Sequence, residues 1–163
     1  MHNAPSLSEV QSLLHLDADG ILLWKVRRGP VHAGAIAGYI NADGYLDISI
    51  GKRHFLAHRV VWLLSRGNWP AGMIDHIDRN KTNNRPDNLR LCNRSQNSAN
   101  QAARPGKFKG VTVHTKTGLF QAQCGHKYVG LFGSPEEAAR AYDRAAVNRY
   151  GEYAFLNFPK EVA

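Results

Sequence analysis

The strongest constraint on this chain lies near its C-terminus, where three alternating apolar segments run directly into a fully capped helix. Ser134 is a good N-cap, Pro135 suits the first helical position, Glu137 completes a capping box and Gly151 closes the far end. The spacing predicts a buried stripe of Ala138, Ala141, Tyr142, Ala145 and the Arg149 stem, small enough for close packing on a sheet. The segments GVTVHT, LFQAQC and KYVGLF, separated by Thr117-Gly118 and Gly125-His126, read as three strands. Period-two alternation assigns Val111, Val113, Phe120, Ala122, Cys124, Val129 and Leu131 to the inner face. The outer face then carries Thr112, His114, Gln121, Gln123, His126 and Tyr128. Arg104-Pro105-Gly106-Lys107 opposes any regular element and marks a linker just upstream.

Before that linker the pattern changes several times. Ser6 to Leu14 has capping-box spacing and helical recurrence of leucines, and Gly and Asp then break it. Short strands follow in ILLWKV, AGYI, YLDISI and RHFLA, punctuated by Asp43-Gly44 and Gly51-Lys52. Arg59 to Arg66 is too apolar for a surface strand and ends at Gly67, as a buried helix would. From Met73 the order is a strand in MIDHI, an Asn-rich loop, a strand in NLRLC and a helix from about Asn93 to Ala103.

Composition narrows the chemistry. A chain of 163 residues holds one ordinary domain or two small ones. It has no long apolar run and no signal-peptide pattern, so a soluble, cytoplasmic protein with no membrane partner is expected. Cys92 and Cys124 are its only cysteines, too few for a four-cysteine zinc cluster or a disulfide framework, which leaves O and N ligands for any metal. The net charge is +8, and between Arg79 and Lys109 eight basic residues face a single acid, Asp87. Such a segment suits a phosphate backbone, and no amphipathic basic helix accompanies it to favour a membrane surface.

Phosphodiester hydrolysis near neutral pH needs a base for water and a cation for the developing charge, and Asp75-His76 offers a ligand and a base in adjacent positions. Neighbours on a strand point to opposite faces, so one site requires a bend at the strand end, and a hydrogen-bonded structural pair is the plain alternative. Asn93, Asn97 and Asn100 share one helix face, and spacing does not choose among them; Asn93 suits an N-cap. An EF-hand loop is excluded, because its sixth position is Asn83 and its twelfth Leu89. His58 fits a satisfied structural histidine better than a phosphate contact, while Arg85 and Arg90 suit either phosphates or pairing with Asp78 and Asp87.

The run DHIDRNKTNNRPDNLRLCNRSQNSANQ, with AHRVVWLL upstream, resembles the HNH endonuclease family, especially phage and intron-encoded homing enzymes with Asn in the last motif position. The resemblance spans roughly Gly44 to Gln101, with its core motif at 58–101. It implies a ββα-metal fold in which Asp75 and Asn97 ligate the metal, His76 is the general base, and Asn88 holds the strand pair and the imidazole. Asn97 in place of the His of many relatives shifts the preference from zinc or nickel to one Mg²⁺ or Mn²⁺ ion.

Lys109 to Phe158 resembles the DNA-binding domain of plant APETALA-two and ethylene-response factors, through Gly110-Val111, Ala122, Val129-Gly130-Leu131-Phe132, the run from Glu137 to Ala146, Gly151 and Asn157-Phe158. That resemblance implies a three-stranded sheet laid on the major groove with one helix behind it. Thr112, His114, Gln121, Gln123, His126 and Tyr128 would face the bases, with Lys109, Lys116 and Lys127 reaching phosphates. The expected architecture is α+β: an HNH domain over 1–103 with a small N-terminal β region, a linker at 104–108, and a sheet-and-helix module over 109–159. The expected activity is metal-dependent cleavage of double-stranded DNA at a recognised site by a monomer. The alternative is a DNA-binding regulator with an inactive nuclease fold.

Overall fold

The computed structural model describes residues 4–161. The chain forms two compact units, residues 1–92 and 93–163. In the first, Ser6 caps α1 (Leu7–Leu13) with both halves of a capping box, its hydroxyl accepting from the Glu9 N–H and Glu9 accepting from the Ser6 N–H. The helix ends one residue earlier than its leucine pattern suggests, because Leu14 turns extended and begins β1 (Leu14–Leu16), pairing antiparallel with β2 (Leu22–Trp24). A second antiparallel sheet, in the order β3 (Tyr39–Ile40), β4 (Leu46–Ile50) and β5 (Arg53–Leu56), leads into α2 (Ala57–Arg66). Gly67 stops α2 in a left-handed conformation, as the sequence anticipates.

These elements share one core of Val10, Leu14, Leu22, Trp24, Ile48, Val60, Val61 and Leu63, which extends to Ile74 and Leu89. Ile74 and Leu89 belong to the antiparallel hairpin of β6 (Met73–His76) and β7 (Leu89–Cys92). The hairpin is thereby anchored on its apolar side. Arg59 ties α2 to the approach of β6 by donating to the carbonyls of Pro70 and Gly72. Among the described residues, no helix is long and apolar enough to cross a membrane.

The second unit opens with α3 (Arg94–Asn100), whose N-cap is Asn93 in a capping box with Gln96. Its last carbonyls are held from within this unit: the Phe155 N–H donates to Ala99 at 2.9 Å, and the Lys109 ammonium donates to Ser98, Ala99 and Gln101. The units therefore divide at Cys92/Asn93, upstream of the expected linker at 104–108, and α3 stops at Asn100 instead of running on to Ala103. Next come β8 (Val111–Val113), β9 (Phe120–Cys124) and β10 (Lys127–Phe132), an antiparallel sheet with β9 central, and α4 (Pro135–Tyr150) packs on one face.

Two features of this unit escape simple alternation. A register shift between Tyr128 and Gly130 pairs Gly130 with Ala122, Leu131 with Gln121 and Phe132 with Phe120. A one-residue slip exchanges faces, so Phe132 joins the core and Leu131, expected inside, belongs to the outer row. Val113 keeps the face of its partner Phe120, yet lies at the open end of an edge strand and is 58% exposed. On α4, Asp143 is fully buried. Its carboxylate accepts from the Asn157 N–H and side-chain amide and from the Phe158 N–H, clipping the C-terminal segment to the helix.

Gly110 occupies the tightest place here. Its φ is +72°, and a Cβ would lie 2.0 Å from the Tyr142 ring. Gly110→Ala is expected to destabilise the second unit by about 2–4 kcal/mol, combining left-handed strain with overpacking, as read by urea denaturation.

Candidate active site and exposed sheet face

Register explains the first contact at the site. Asp75 lies opposite Arg90 across the hairpin, and both Nε and Nη2 of Arg90 sit 2.9 Å from one carboxylate oxygen of Asp75. The side chains are 6% and 10% exposed, so this is a buried ion pair, and Arg90 serves Asp75 instead of Asp78 or Asp87. Removing one partner of such a pair strands a charge and costs about 3–5 kcal/mol. Arg85 also has a different partner from those expected, the exposed carboxylate of Asp19.

His76 ends β6 and is 4% exposed. Its Nε2 is 3.0 Å from the side-chain oxygen of buried Asn84. A carbonyl oxygen only accepts, so Nε2 donates in this contact. The chain bends sharply straight after the ring: the Arg79 N–H donates to the His76 carbonyl, and Arg79 has a left-handed φ of 66°. Asp75 and His76 themselves keep regular strand pairing, and the bend follows them.

The loop after the bend is closed by amides. The Asn88 side chain accepts from the Asp78 N–H and donates to the Asp78 carboxylate and the Asn83 carbonyl, while its backbone oxygen accepts from Ile77. Asn88 therefore holds the strand pair and the loop base, and the Asn84 side chain bonds the imidazole. Burial works to raise the Asp78 carboxyl, but hydrogen bonds from Asn83, Asn88 and the Asn80 N–H outweigh it and hold it below the usual carboxylate value. Asn84 in turn is braced from the N-terminal region. Gly20, at φ +79° in the β1–β2 turn, approaches so closely that a Cβ would lie 2.5 Å from the Asn84 carbonyl carbon.

Two rings complete the surroundings. His58, on α2, meets His76 edge to face at 5.1 Å between centroids, and Tyr45 lies 5.6 Å from His58 and 6.1 Å from His76. Burial, then His76 and Arg59, push the His58 imidazole down from 6.5 to about 3, so it is a neutral packing partner. Burial, then Asp75 and Asp43, push the Tyr45 hydroxyl up. Asn84, Tyr45 and Gly20 were not singled out from sequence. The Asn-rich loop was the available signal for Asn84, whereas Tyr45 and Gly20 are brought in only by packing.

The donor chemistry fits a hard cation. Asp75 offers carboxylate oxygen, and the Cys92 thiol is pushed up by burial and then by Asp75, which opposes thiolate ligation. Among the described residues there is no cluster of three or more His, Cys, Asp or Glu that could form a soft-metal cage. Asn97 lies on α3 in the second unit.

The residues singled out in the second unit separate into three groups. Thr112, Gln121 and Leu131 form one cross-strand row, and Gln123 and Tyr128 form the next, on the face away from α4. His114, Lys116 and His126 stand in the turns at the strand ends, with His114 Nδ1 2.9 Å from the Thr117 hydroxyl. Lys127 pairs with Cys124, which puts it on the helix-side register at the rim, and the Lys109 ammonium is engaged with the α3 carbonyls.

A family model described as HNH endonuclease matches residues 55–99. The chain is 32% identical over 126 residues to an uncharacterized HNH endonuclease of Acanthamoeba polyphaga mimivirus, covering 73% of this chain and 65% of that protein. Part of the chain is 48% identical over 58 residues to an APETALA2-like protein of Oryza sativa, covering 32% of this chain but 13% of that protein. A solved structure of the HNH homing endonuclease I-HmuI, described by its DNA binding and cleavage, aligns with a TM-score of 0.44 and 24% identity, over 60% of this chain and 56% of that one.

The depressed His58 value has a measurable consequence. Above pH 6.5 the ring is neutral whether folded or unfolded; as pH falls from 6.5 towards 3 the unfolded chain takes up the proton first. Stability should then decline by up to about 1.4 kcal/mol per pH unit in that window, and His58→Gln should flatten the decline in stepped-pH urea unfolding. Asn84→Leu, which strands the buried Nε2–H of His76, is expected to cost about 1–3 kcal/mol in the same assay at neutral pH. The hairpin, its loop and the start of α3 lie within the stretch, residues 55–99, that matches the HNH endonuclease family model.

Proposed function

We propose that this chain is a divalent-metal-dependent endonuclease that hydrolyses a phosphodiester bond in double-stranded DNA. The observation that carries this reading is the buried Asp75-His76 pair at the end of β6, inside the segment that matches HNH endonucleases, with its imidazole already held by Asn84. His76 is the general base for the attacking water, its imidazole oriented by the Nε2 contact to Asn84. Asp75 is a ligand of one Mg²⁺ or Mn²⁺ ion through oxygen. When bound, that ion supplies neutralising charge for the phosphate and the departing 3′ oxygen. Arg90 pairs with Asp75 and orients it, and Asn88 keeps the loop closed beneath the site.

The C-terminal sheet is the proposed reader, an APETALA-two-like module that docks on the major groove and supplies site recognition. Its likeness to a segment of plant APETALA2-like proteins and the absence of any acid from residues 111 to 132 support this role. With one such site per monomer, nicking is the default outcome. The arrangement resembles that of phage homing endonucleases, which act in the cytoplasm of the host cell.

A supercoiled-plasmid assay with Mg²⁺, Mn²⁺ or EDTA tests the proposal. Metal-dependent nicking is expected, and His76→Ala should reduce its rate about 10²-fold or more while DNA retention in gel-shift assays persists. DNA binding with no nicking under any divalent metal would instead establish a binding protein with an inactive nuclease fold.

A further inference from the structure

The register shift in β10 changes the chemistry of the exposed sheet face. Because Leu131 pairs with Gln121 and Gln121 with Thr112, one row across all three strands presents a methyl-bearing hydroxyl, an amide and an apolar branch. The neighbouring row adds the amide of Gln123 and the ring of Tyr128, which is 57% exposed. Three strands span about 10 Å between outer axes, compatible with a major groove about 12 Å wide.

This face lacks both partners needed to read a G·C pair. Guanine is read by Arg or Lys on O6 and N7, and cytosine by Asp or Glu on N4. Residues 111 to 132 contain no Arg, Asp or Glu; their two lysines lie in the β8–β9 turn (Lys116) and on the helix-side register (Lys127). The groups present match the other pair. A glutamine amide spans adenine N6 and N7, and apolar or threonine methyls pack on the thymine C5-methyl. We infer that the outer face selects A·T-containing steps in the major groove, with Gln121 on the central strand reading adenine and Leu131 beside it reading the thymine methyl. This inference rests on the proposed double-stranded DNA partner.

The test selects duplexes from a random-sequence pool with the full chain in EDTA, so that no cutting intervenes. The best duplex is then compared with analogues carrying uracil for thymine or 7-deazaadenine for adenine. A·T-containing sites are expected. Loss of the adenine N7 should weaken binding about tenfold or more, the worth of a good bidentate contact. Loss of the thymine methyl should weaken it about fourfold, the worth of one buried methyl group. Leu131→Ser should abolish the uracil effect alone, and Gln121→Leu the 7-deazaadenine effect alone. If a variant fails to fold, the two analogue measurements on the unaltered chain still decide the matter. Recovery of G·C-rich sites, or indifference to both analogues, would overturn the inference while leaving DNA binding intact. Retention of no duplex at all would overturn it together with the proposed partner.

Discussion

The buried pairing of Asp75 with Arg90 governs what the first unit can do with its strand hairpin. Taking a charged carboxylate this far out of water is costly, and the guanidinium two-nitrogen contact offsets that cost. The same contact fixes the rotamer of Asp75, because both nitrogens converge on one oxygen. It depends on strand register: slip the hairpin by one residue and Arg90 faces the other side. Register is held in turn by Ile74 and Leu89 in the core and by Asn88 closing the loop.

The proposed base is supported by a chain of contacts that begins far from it in sequence. Gly20 allows the β1–β2 turn to press on the backbone at Asn84, and Asn84 holds the His76 ring. His58 and Tyr45 fill the space beside the ring without competing for its proton, since burial keeps His58 neutral. The N-terminal strands thus brace the imidazole, and a rigid base is the form of pre-organisation that proton transfer from water requires.

In the second unit a single extra residue in β10 has the corresponding influence. It moves Phe132 into the core beneath the sheet and Leu131 out of it, so the exposed face becomes a mixture of amides and methyl groups. The buried Asp143 and the Asn157 side chain hold the C-terminal segment against Lys109, and Lys109 holds the end of α3. The helix carrying Asn97 is therefore bonded to the proposed reader module.

Much of this was legible in the residues alone. Capping boxes at Ser6 and Ser134, the N-cap at Asn93, the stop at Gly67, and the strand order on either side of the Asn-rich loop are local, because each depends on atoms within a few residues of chain. Asp75, His76 and Asn88 were also legible, as members of a spaced pattern. What the sequence could not decide were contacts made at long range or through register: Arg90 on Asp75, Asn84 on His76, Gly20 beneath Asn84, and the exchange of Leu131 for Phe132. Alternation assumes an unbroken pleat, and one bulge reverses it. Pairing by charge assumes a partner nearby in sequence, whereas the tertiary structure chose the residue directly across the strand.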